Sequence, residues 1–402
     1  MPTIGYRLLA TGRLTMKITA VQCILLSAPY ATPGDAEQTI HLKSGYRPAS
    51  FIKVETDEGI YGLGETYAGV YAPETVFELV AQFEHDLLGQ EAMDIYALWD
   101  RVRLSSYYWG RMGISQSVIG GIEMALWDLK GKALGVPVYD LMGGKVHQAI
   151  PVYASGGNNK TFDELEEEMR GYVQNGYRAV KIRINHLPDI AEIVRKVAFC
   201  RKVLGDDIGL AVDAAQGLAK TPWSAKKAVD IARRLEPYDL LWIEEPAEVT
   251  NYQGFAEIRR QINIPVAGGE TVTSLVEAES YLSNDSLDLF QPDASLIGGL
   301  SIFRQVAQMC ARKHIPVAVH AWCGGVGIMG NFHAAFATQN CSYLELSNLP
   351  NPLREGVLLE PLKIRDGKLL APSTPGLGIH LPDDLVKKYP YRAGTVYRIL
   401  GN

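Results

Sequence analysis

The sequence contains little cysteine, and its five cysteines form no closely spaced pair. An odd number of widely separated cysteines argues against a disulfide framework and a zinc knuckle, and it favours reduced thiols in the cytoplasm. Cys23, Cys200, Cys310 and Cys341 lie in or beside apolar runs, which is typical of core residues. Cys323 follows a predicted strand, so it either is buried in the same way or faces a pocket.

Long apolar runs, basic stripes and low-complexity tracts are also missing. No run reaches the length of a transmembrane helix, and residues 1–15 hold Arg7 and Arg13 around only a short Leu-Leu-Ala segment. We therefore expect those residues to be an extension without fold content and not a signal peptide. A net charge of −6 argues against nucleic acid as the main partner, although it does not exclude an anionic substrate.

The composition is that of an ordinary globular protein, with 47% hydrophobic and 21% charged residues. A chain of 402 residues exceeds what one hydrophobic core usually serves, so two domains are predicted. Patterns at 17–26, 50–56 and 61–65 predict an antiparallel meander, and residues 74–135 have helical patterning. We assign the chain to an α+β domain at 16–140, a second domain at 141–350, and a segment at 351–402 that returns to the first domain.

The segment Leu-Leu-Trp-Ile-Glu-Glu-Pro at 240–246 has the pattern that defines the second domain. Its four apolar residues predict a strand buried on both faces, as in a parallel sheet, and Glu244 and Glu245 stand at its end. For this segment alone, acids that face solvent in a loop and acids that bind a cation are equal alternatives.

The same pattern recurs along the second domain, where apolar runs end in a charged side chain every 23 to 32 positions. A spacing of that length holds one loop, one helix and one return loop. Repeated βα units with polar residues at the strand ends predict a (β/α)8 barrel whose active site lies at those ends. The first barrel strand is predicted at 149–154, and the polar residues that follow are Lys181, Arg183, Asp213, Glu244, Glu270, Asp293, His320 and Glu345.

Three carboxylates, on Asp213, Glu244 and Glu270, end three successive predicted strands. Acids that converge on one barrel mouth repel strongly at low dielectric, and a divalent cation resolves that repulsion. An all-oxygen ligand set suits Mg²⁺ with open positions left for a substrate. The alternative is that Lys181 and Arg183 form salt bridges with these acids and no metal binds.

Asp293 and His320 end adjacent predicted strands and are a candidate acid/base pair. A carboxylate bonded to one imidazole nitrogen fixes the tautomer and leaves the other nitrogen for proton transfer. Glu345, on the last strand, is expected to hydrogen-bond a developing oxyanion if neighbouring carboxylates raise its pKa, or else to be a structural acid. Together these groups suit removal of the α-proton of a carboxylate substrate, with Mg²⁺ and flanking donors stabilising the enediolate.

Several segments carry a resemblance to a known family. They are Ala-Leu-Trp-Asp-Leu-Lys-Gly-Lys-Ala-Leu-Gly at 125–135, Val-Lys-Ile-Arg at 180–183, Val-Asp at 212–213, Trp-Ile-Glu-Glu-Pro at 242–246, Gly-Gly-Glu at 268–270, Gln-Pro-Asp at 291–293, Gly-Gly at 298–299, and His320. From Met16 onward the chain resembles the mandelate racemase and muconate lactonising branch of the enolase superfamily.

The resemblance implies a TIM-type barrel capped by the first domain, whose loops at 27–47 and 66–73 choose the substrate. It implies that Asp213, Glu244 and Glu270 bind one Mg²⁺ ion while Glu245 does not, and that the pair Asp293 and His320 moves the proton. It places Glu345 where the family has its enolate hydrogen-bond donor, and it implies a homo-oligomer.

Two positions depart from the family pattern. The family usually has a second lysine where this chain has Arg183, and a guanidinium with a pKa above about 12 is a poor base and a good carboxylate clamp. This change argues against racemisation by two bases. Ala215 stands where many relatives of mandelate racemase have an asparagine, which is expected to alter only the surroundings of the metal ligands.

A single acid/base pair that removes a proton and then returns one to a leaving hydroxyl suits dehydration of a sugar acid. Arg47, in the first capping loop, either grips a distal hydroxyl or second carboxylate of the substrate or is a solvated charge. Asn185 and Trp322 are further candidate substrate contacts. The alternatives are an epimerase or sugar-lactone cycloisomerase with the same proton abstraction, a Schiff-base aldolase using Lys181, and a non-catalytic barrel.

Overall fold

The computed structural model describes residues 15–31, 40–187 and 189–399. The predicted extension at 1–15, apart from Thr15, and the middle of the predicted loop at 27–47 lie outside these residues. Within the described ranges, none of the helices combines the length and the apolar character that a membrane span requires.

The first part of the chain is a three-stranded antiparallel meander followed by helices, as predicted for an α+β domain. Its strands are β1 (Ile18–Pro29), β2 (Tyr46–Thr56) and β3 (Tyr61–Glu65), and its helices are α1 (Pro73–Leu87), α2 (Ile95–Ser105), α3 (Ile114–Leu134) and α4 (Val138–Leu141). Helix α3 packs directly on β3, because Gly62 and Gly64 leave no side chain between them. A Cβ atom at Gly64 would lie 1.8 Å from the carbonyl oxygen of Gly121.

The second part is a closed barrel, which confirms the predicted fold class. Among the described residues, eight parallel strands pair in chain order, and β11 pairs with β4 to close the ring. The strands are β4 (Ala149–Gly156), β5 (Ala179–Arg183), β6 (Gly209–Asp213), β7 (Leu240–Glu244), β8 (Val266–Gly268), β9 (Leu289–Phe290), β10 (Val317–Val319) and β11 (Cys341–Ser347). The helices between them are α5 (Phe162–Gln174), α6 (Ile190–Leu204), α7 (Ala225–Leu235), α8 (Tyr252–Arg259), α9 (Leu275–Ser283), α10 (Leu300–Arg312) and α11 (Gly325–Phe336).

Local sequence explains where several barrel helices begin. Short polar side chains stand before the first residue and accept a hydrogen bond from the backbone N–H three positions later, which satisfies an otherwise unpaired donor. Thr161 does so before α5, and its partner Glu164 completes a capping box. The same arrangement starts α6, α7, α8 and α9, with the caps Asp189, Ser224, Asn251 and Ser274.

The interior of the barrel is filled by aromatic side chains opposite alanines. The rings of Tyr153 and Trp242 meet edge to face with centroids 5.2 Å apart, and both residues are buried. Neighbouring strands contribute small residues that leave room for these rings, namely Ala179, Ala211, Ala267 and Ala318. This aromatic layer lies just below the charged layer, since Trp242 precedes Glu244 by two residues on the same face of β7.

The C-terminal segment contacts both parts of the molecule. After α12 (Pro352–Glu355) comes a hairpin of β12 (Ile364–Arg365) and β13 (Lys368–Leu370), and β13 pairs antiparallel with the first residues of β4. The chain then continues through α13 (Asp383–Lys388), and Pro390 forms a bridge with Leu26 of β1. The segment thus contacts the first domain through α12 and again after the hairpin that extends the barrel sheet, and the predicted domain limits at 140 and 350 stay a prediction.

Two buried carboxylates of the first domain cap helices of the barrel. Glu65 accepts hydrogen bonds from the backbone N–H groups of Gly324 and Gly327 at the start of α11, at 2.6 and 2.8 Å. Glu123 accepts one from Leu300 at the start of α10, at 2.8 Å. Burial raises the pKa of each carboxyl to about 7, although the helix N–H groups oppose that rise. The two domains are therefore joined by electrostatic contacts as well as by apolar packing.

Asp128 is a third buried carboxylate, and it joins three elements. Its oxygens accept hydrogen bonds from the backbone N–H groups of Leu63 on β3 and Leu377 in the C-terminal segment, at 2.9 and 2.8 Å. One oxygen also lies 2.5 Å from the ammonium group of Lys132 on α3. A single side chain thus fixes the sheet, the helix and the C-terminal segment to each other.

We expect Asp128→Ala to lower the free energy of unfolding by about 3–5 kcal/mol, because it leaves two buried backbone donors and the half-buried ammonium group of Lys132 without their acceptor. Urea unfolding followed by circular dichroism measures this. The matched control is Glu166→Ala on α5, which breaks an exposed pair with Arg170 and is expected to cost at most about 0.5 kcal/mol. Equal losses in the two variants would contradict the role assigned to Asp128.

Candidate active site

The eight charged residues predicted at the strand ends come together at one end of the barrel. Strand register brings Arg183, Asp213 and Glu244 to the same level, because Arg183 is paired with Asp213 and Asp213 with Glu244. Most of the eight side chains are buried, and only Arg183 and Glu270 are half-buried. A concentration of ionisable groups shielded from solvent is typical of a functional site.

Lys181 lies at the centre of this cluster. Its Nζ donates a hydrogen bond to Oε1 of Glu244 at 2.6 Å and lies 2.9 Å from Oε1 of Glu345. Burial would lower the pKa of Lys181, but the carboxylates of Glu244 and Glu345 hold it well above its ordinary value. The lysine is therefore a fixed cation, and this state does not suit the Schiff-base chemistry that the sequence left open.

Glu244 is surrounded by donors on both of its oxygens. Besides Lys181, it accepts hydrogen bonds at Oε2 from the indole N–H of Trp242 at 3.0 Å and from the amide of Gln291 at 2.6 Å. Burial raises the pKa of Glu244 to about 8, since Lys181 only partly offsets burial and the charges of Asp213 and Glu270. Gln291 and Trp242 were part of the motifs in the sequence, but their contact with this carboxylate was not predicted.

Asp213 is held by Arg183 and by its own backbone. Its Oδ2 accepts a hydrogen bond from Nε of Arg183 at 3.2 Å, and its Oδ1 accepts one from the backbone N–H of Ala215 at 2.8 Å. Ala215 has a φ of 39°, which asparagine adopts more readily than alanine does. This is the physical consequence of the departure at Ala215: a strained turn directly after a candidate metal ligand.

Glu270 and Glu245 add two further acids at the same end. Oε2 of Glu270 lies 3.7 Å from Nε2 of His320. Glu245 is buried, has a φ of 42°, and has no hydrogen-bond partner for its Oε1 among the described residues. Burial and then the charges of Glu270 and Asp213 raise the pKa of Glu245 well above its ordinary value. These surroundings favour the protonated form of Glu245.

The oxygen ligands present fit a hard divalent cation. Asp213, Glu244 and Glu270 supply only carboxylate oxygen, and their mutual repulsion is one reason for the raised pKa of Asp213 and of Glu244. In the ranges that the structure describes, no three His, Cys, Asp or Glu side chains are already arranged around an ion position. Lys181 bonds to Glu244 and Arg183 bonds to Asp213, so two of the three proposed ligands also have a cationic side chain as a partner.

His320 and Asp293 form the hydrogen-bonded pair expected from the sequence. Nδ1 of His320 and Oδ2 of Asp293 are 2.8 Å apart. The other oxygen of Asp293 accepts hydrogen bonds from Ser295, through both its backbone N–H and its hydroxyl, and from the amide of Asn331 at 2.7 Å. The Asp293 carboxylate is therefore fixed on both sides, and Nε2 of His320 points towards Glu270 and Glu345.

The environment of His320 favours its protonated form. Burial alone would lower the pKa of His320, but Glu270, the bond to Asp293 and Glu345 raise it to about 9. Glu270 is the largest of the influences that raise it. Any change that neutralises Glu270 is therefore expected to bring this pKa down and free Nε2 to accept a proton.

Glu345 differs from the expectation of a raised pKa. Burial alone would raise it, but Lys181 at 2.9 Å, His320 and the backbone N–H of Ala321 lower the pKa of Glu345 to about 2. The indole N–H of Trp322 also donates to its Oε1 at 2.9 Å. Glu345 is therefore an ionised acceptor in this arrangement and cannot donate to an oxyanion. From the sequence we expected acids beside Glu345, but the sequence did not indicate that Lys181 lies closer to Glu345 than they do.

Arg47 and Trp322 are adjacent at the mouth of the site. The guanidinium of Arg47 donates to the carbonyl oxygen of Trp322 and lies 4.6 Å from the centroid of the Tyr30 ring. Its side chain is buried, so the prediction of a solvated charge is wrong. The ring of Trp322 lies 5.0 Å from the guanidinium of Arg183. Trp322 thus connects the capping domain, Arg183 and Glu345.

Cys323 and Asn185 complete the comparison with the expectations. Cys323 is buried, and burial raises the pKa of its thiol well above the ordinary value, so it is an unreactive core residue. Asn185 lines a cavity beside Arg183. Two residues that hold the site together, Ser295 and Asn331, were missed. For Asn331 there was a signal, because it is a polar residue in the otherwise apolar stretch that forms α11.

Comparison with known families agrees with this geometry. Residues 164–385 match the model described as Enolase C-terminal domain-like, and residues 38–143 match that of the mandelate racemase / muconate lactonizing enzyme N-terminal domain. The chain belongs to the enolase superfamily.

Relatives of this enolase-superfamily protein have more than one activity. It is 28% identical to an arabinonate dehydratase of Saccharolobus solfataricus, over 84% of this chain and 89% of the relative. It is 32% identical to a 3,6-anhydro-alpha-L-galactonate cycloisomerase of Streptomyces coelicolor, over 82% and 88%. The crystal structure of L-talarate dehydratase from Polaromonas sp. JS666 with Mg and L-glucarate matches with a TM-score of 0.78, at 27% identity, over 92% of this chain and 98% of that one.

The lowered pKa of Glu345 predicts an acid-sensitive contribution to stability. A carboxyl with a folded pKa of about 2 and an ordinary value of 4.5 stabilises the folded state by about 3 kcal/mol above pH 4.5, and loses that contribution as the pH falls towards 2. We therefore expect Glu345→Gln to cost about that much at pH 7 and progressively less between pH 4.5 and 3, as measured by urea unfolding at each pH. Glu360→Gln, at an exposed carboxyl paired with Lys363, is the control. A cost that does not change with pH would exclude the ionised state of Glu345.

Proposed function

We propose that this protein catalyses the Mg²⁺-dependent dehydration of a sugar acid. The observation that carries the proposal is the His320–Asp293 pair, whose free imidazole nitrogen faces Glu270 and Glu345 across the barrel end. Dehydration needs one base that becomes an acid, and this pair has that form. Dehydratases among the relatives support the same reaction class.

Asp213, Glu244 and Glu270 are the proposed ligands of Mg²⁺. When bound, the ion supplies positive charge that stabilises the enediolate of the substrate. Lys181 and Arg183, which now compensate these acids, are proposed to hold the substrate carboxylate, with Arg183 as a clamp. Both are charged at neutral pH, so neither is proposed as the base.

His320 is proposed to move the proton. In the neutral form that His320 adopts once Glu270 is neutralised, its Nε2 takes the α-proton, so the C–H bond breaks and its electron pair enters the enediolate. The imidazolium, held by Asp293, then gives the proton to the hydroxyl on the neighbouring carbon, and the C–O bond breaks as water leaves. The resulting enol becomes a 2-keto-3-deoxy acid. With Glu345 ionised, its proposed part is to orient Lys181 and Trp322 beside the substrate.

A sugar-lactone cycloisomerase is the second candidate, because the relative at 32% identity has a cycloisomerase activity. A cycloisomerase would begin with the same proton abstraction. The reaction would differ in where the electron pair of the broken C–H bond goes. Epimerisation is the third possibility within this chemistry. Two further parts of the proposal stay predictions: a cytoplasmic location, to which the five free cysteines point, and a homo-oligomeric state.

The test is turnover of a library of aldonates and aldarates with Mg²⁺, in which 2-keto-3-deoxy products are detected with semicarbazide. We expect one or more acids to react, and EDTA to abolish the reaction. His320→Asn is expected to lower kcat by at least about 100-fold, because it removes the acid/base group. His380→Asn is the matched control, since that histidine bonds to Tyr61 in the capping domain, away from the site.

Other outcomes separate the candidates. Exchange of the α-proton with D₂O without loss of water would replace dehydration by epimerisation or cycloisomerisation, which product analysis then distinguishes. The absence of both turnover and exchange for every acid would overturn the proposal.

A further inference from the structure

A separate cavity of about 160 Å³ opens beside the reaction centre, at the ends of β4 and β5. It is lined by residues that follow these strands, including Asn158, Asn159, Asn185 and His186, and by Arg183. Arg183 also bonds to Asp213, so the cavity borders the place where the proposed substrate carboxylate would lie. A cavity of this size has room for several water-sized groups, and therefore for several hydroxylated carbons.

The cavity has both apolar and polar walls: Ile40, Leu218 and Ile399 contribute apolar surface, and the asparagines and His186 contribute polar groups. The amides of the asparagines and a neutral imidazole are both donors and acceptors, which is the property a hydroxyl group requires of its partners. His186 belongs to this neutral set, because burial and the charges of Lys196 and Arg183 lower its pKa to about 4. Among the described residues that line the cavity there is no carboxylate, which would repel an acid substrate.

Lys196, on α6, joins the two loops that form the cavity. The lysine is buried, and its Nζ donates to backbone carbonyls on both sides: to Gly157 at 2.6 Å and Asn158 at 3.3 Å in the loop after β4, and to Arg183 at 2.7 Å at the end of β5. It also lies 3.5 Å from Nε2 of His186. Because an ammonium group only donates, this contact makes Nε2 the acceptor and places the ring proton on Nδ1.

A buried lysine whose contacts are carbonyl groups costs stability unless those contacts are satisfied. Burial lowers the pKa of Lys196 to about 8, in agreement with that cost. A leucine or methionine would fill the same space without it. The ammonium group of Lys196 instead fixes the distance between the two loops and the tautomer of His186. These two effects fix the positions of the polar groups around the cavity.

We infer that this cavity is the subsite for the hydroxylated carbons of the substrate distal to its carboxylate, and that Lys196 is the residue that positions it. The inference rests on the proposed function in taking a sugar acid as the substrate. The inference also narrows the substrate class to acids whose distal hydroxyl groups form hydrogen bonds with uncharged side chains. An analogue that lacks such a hydroxyl is bound less tightly, because it leaves polar groups of the cavity without that hydrogen-bond partner.

The experiment measures binding separately from turnover. Isothermal titration with Mg²⁺ and the His320→Asn variant, which holds substrate without converting it, gives Kd for D-gluconate, D-galactonate and their 6-deoxy analogues. We expect at least one parent acid to bind at least about tenfold more tightly than its 6-deoxy analogue. The ratio is then measured again after adding Lys196→Met or Asn185→Leu, and after adding Lys202→Met as the control, an exposed lysine on the same helix.

A positioning role for Lys196 predicts that the ratio falls to within about threefold with Lys196→Met and with Asn185→Leu and stays near tenfold with Lys202→Met. A lysine that only stabilises the fold would weaken both ligands equally and keep the ratio. If Lys196→Met does not fold, as judged by circular dichroism, Asn185→Leu decides.

Equal Kd values for parent and analogue, no binding of any of these acids, or an unchanged ratio in the folded variants would overturn the inference. Tight, hydroxyl-dependent binding without any turnover in the library would leave the subsite standing and overturn only the dehydratase.

Discussion

The ammonium group of Lys181 is the interaction on which the rest of the barrel end depends. It bonds to Glu244 and lies 2.9 Å from Glu345, two buried carboxylates on opposite sides of the barrel, and it lies above the ring of Tyr153. Without a cation at this position, Glu345 would lose the main influence that keeps its pKa low in so buried a place. The position of this one charge determines the pKa of Glu345. Glu345 in turn bonds to Trp322, whose ring contacts Arg183.

Around that charge, the molecule uses buried acids to connect its two domains. Glu65 and Glu123 extend from the capping domain to the starts of α11 and α10, the helices that follow the strands bearing His320 and Asp293. The positive end of a helix stabilises the ionised form of each carboxylate, and burial destabilises it, so the two effects are of opposite sign. The capping domain is thus fixed in relation to the catalytic strands by contacts whose strength depends on geometry.

Much of this could be predicted from the sequence because the barrel repeats one pattern. An apolar run followed by a charged residue marks each strand end, and those ends must meet, so Asp213, Glu244, Glu270, Asp293 and His320 were placed together without coordinates. What could not be predicted depends on distances between distant segments. The ionisation of Glu345 depends on Lys181 being nearer than the other acids, and the pairing of β13 with β4 depends on a C-terminal segment that has little pattern of its own. In the sequence, Lys196 is not distinguishable from the other charged residues of an amphipathic helix, because its carbonyl partners lie in distant segments.

The aromatic layer of Tyr153 and Trp242 affects how molecules enter and leave the barrel. Packed against the alanines of neighbouring strands, it closes the barrel directly beneath Lys181 and Glu244. Among the described residues this layer fills the barrel interior, so we expect the proposed substrate and product to enter and leave at the end that the capping domain covers. For the proposed reaction, we therefore expect the rate of product release to depend on the loops of the capping domain and not on the strands of the barrel.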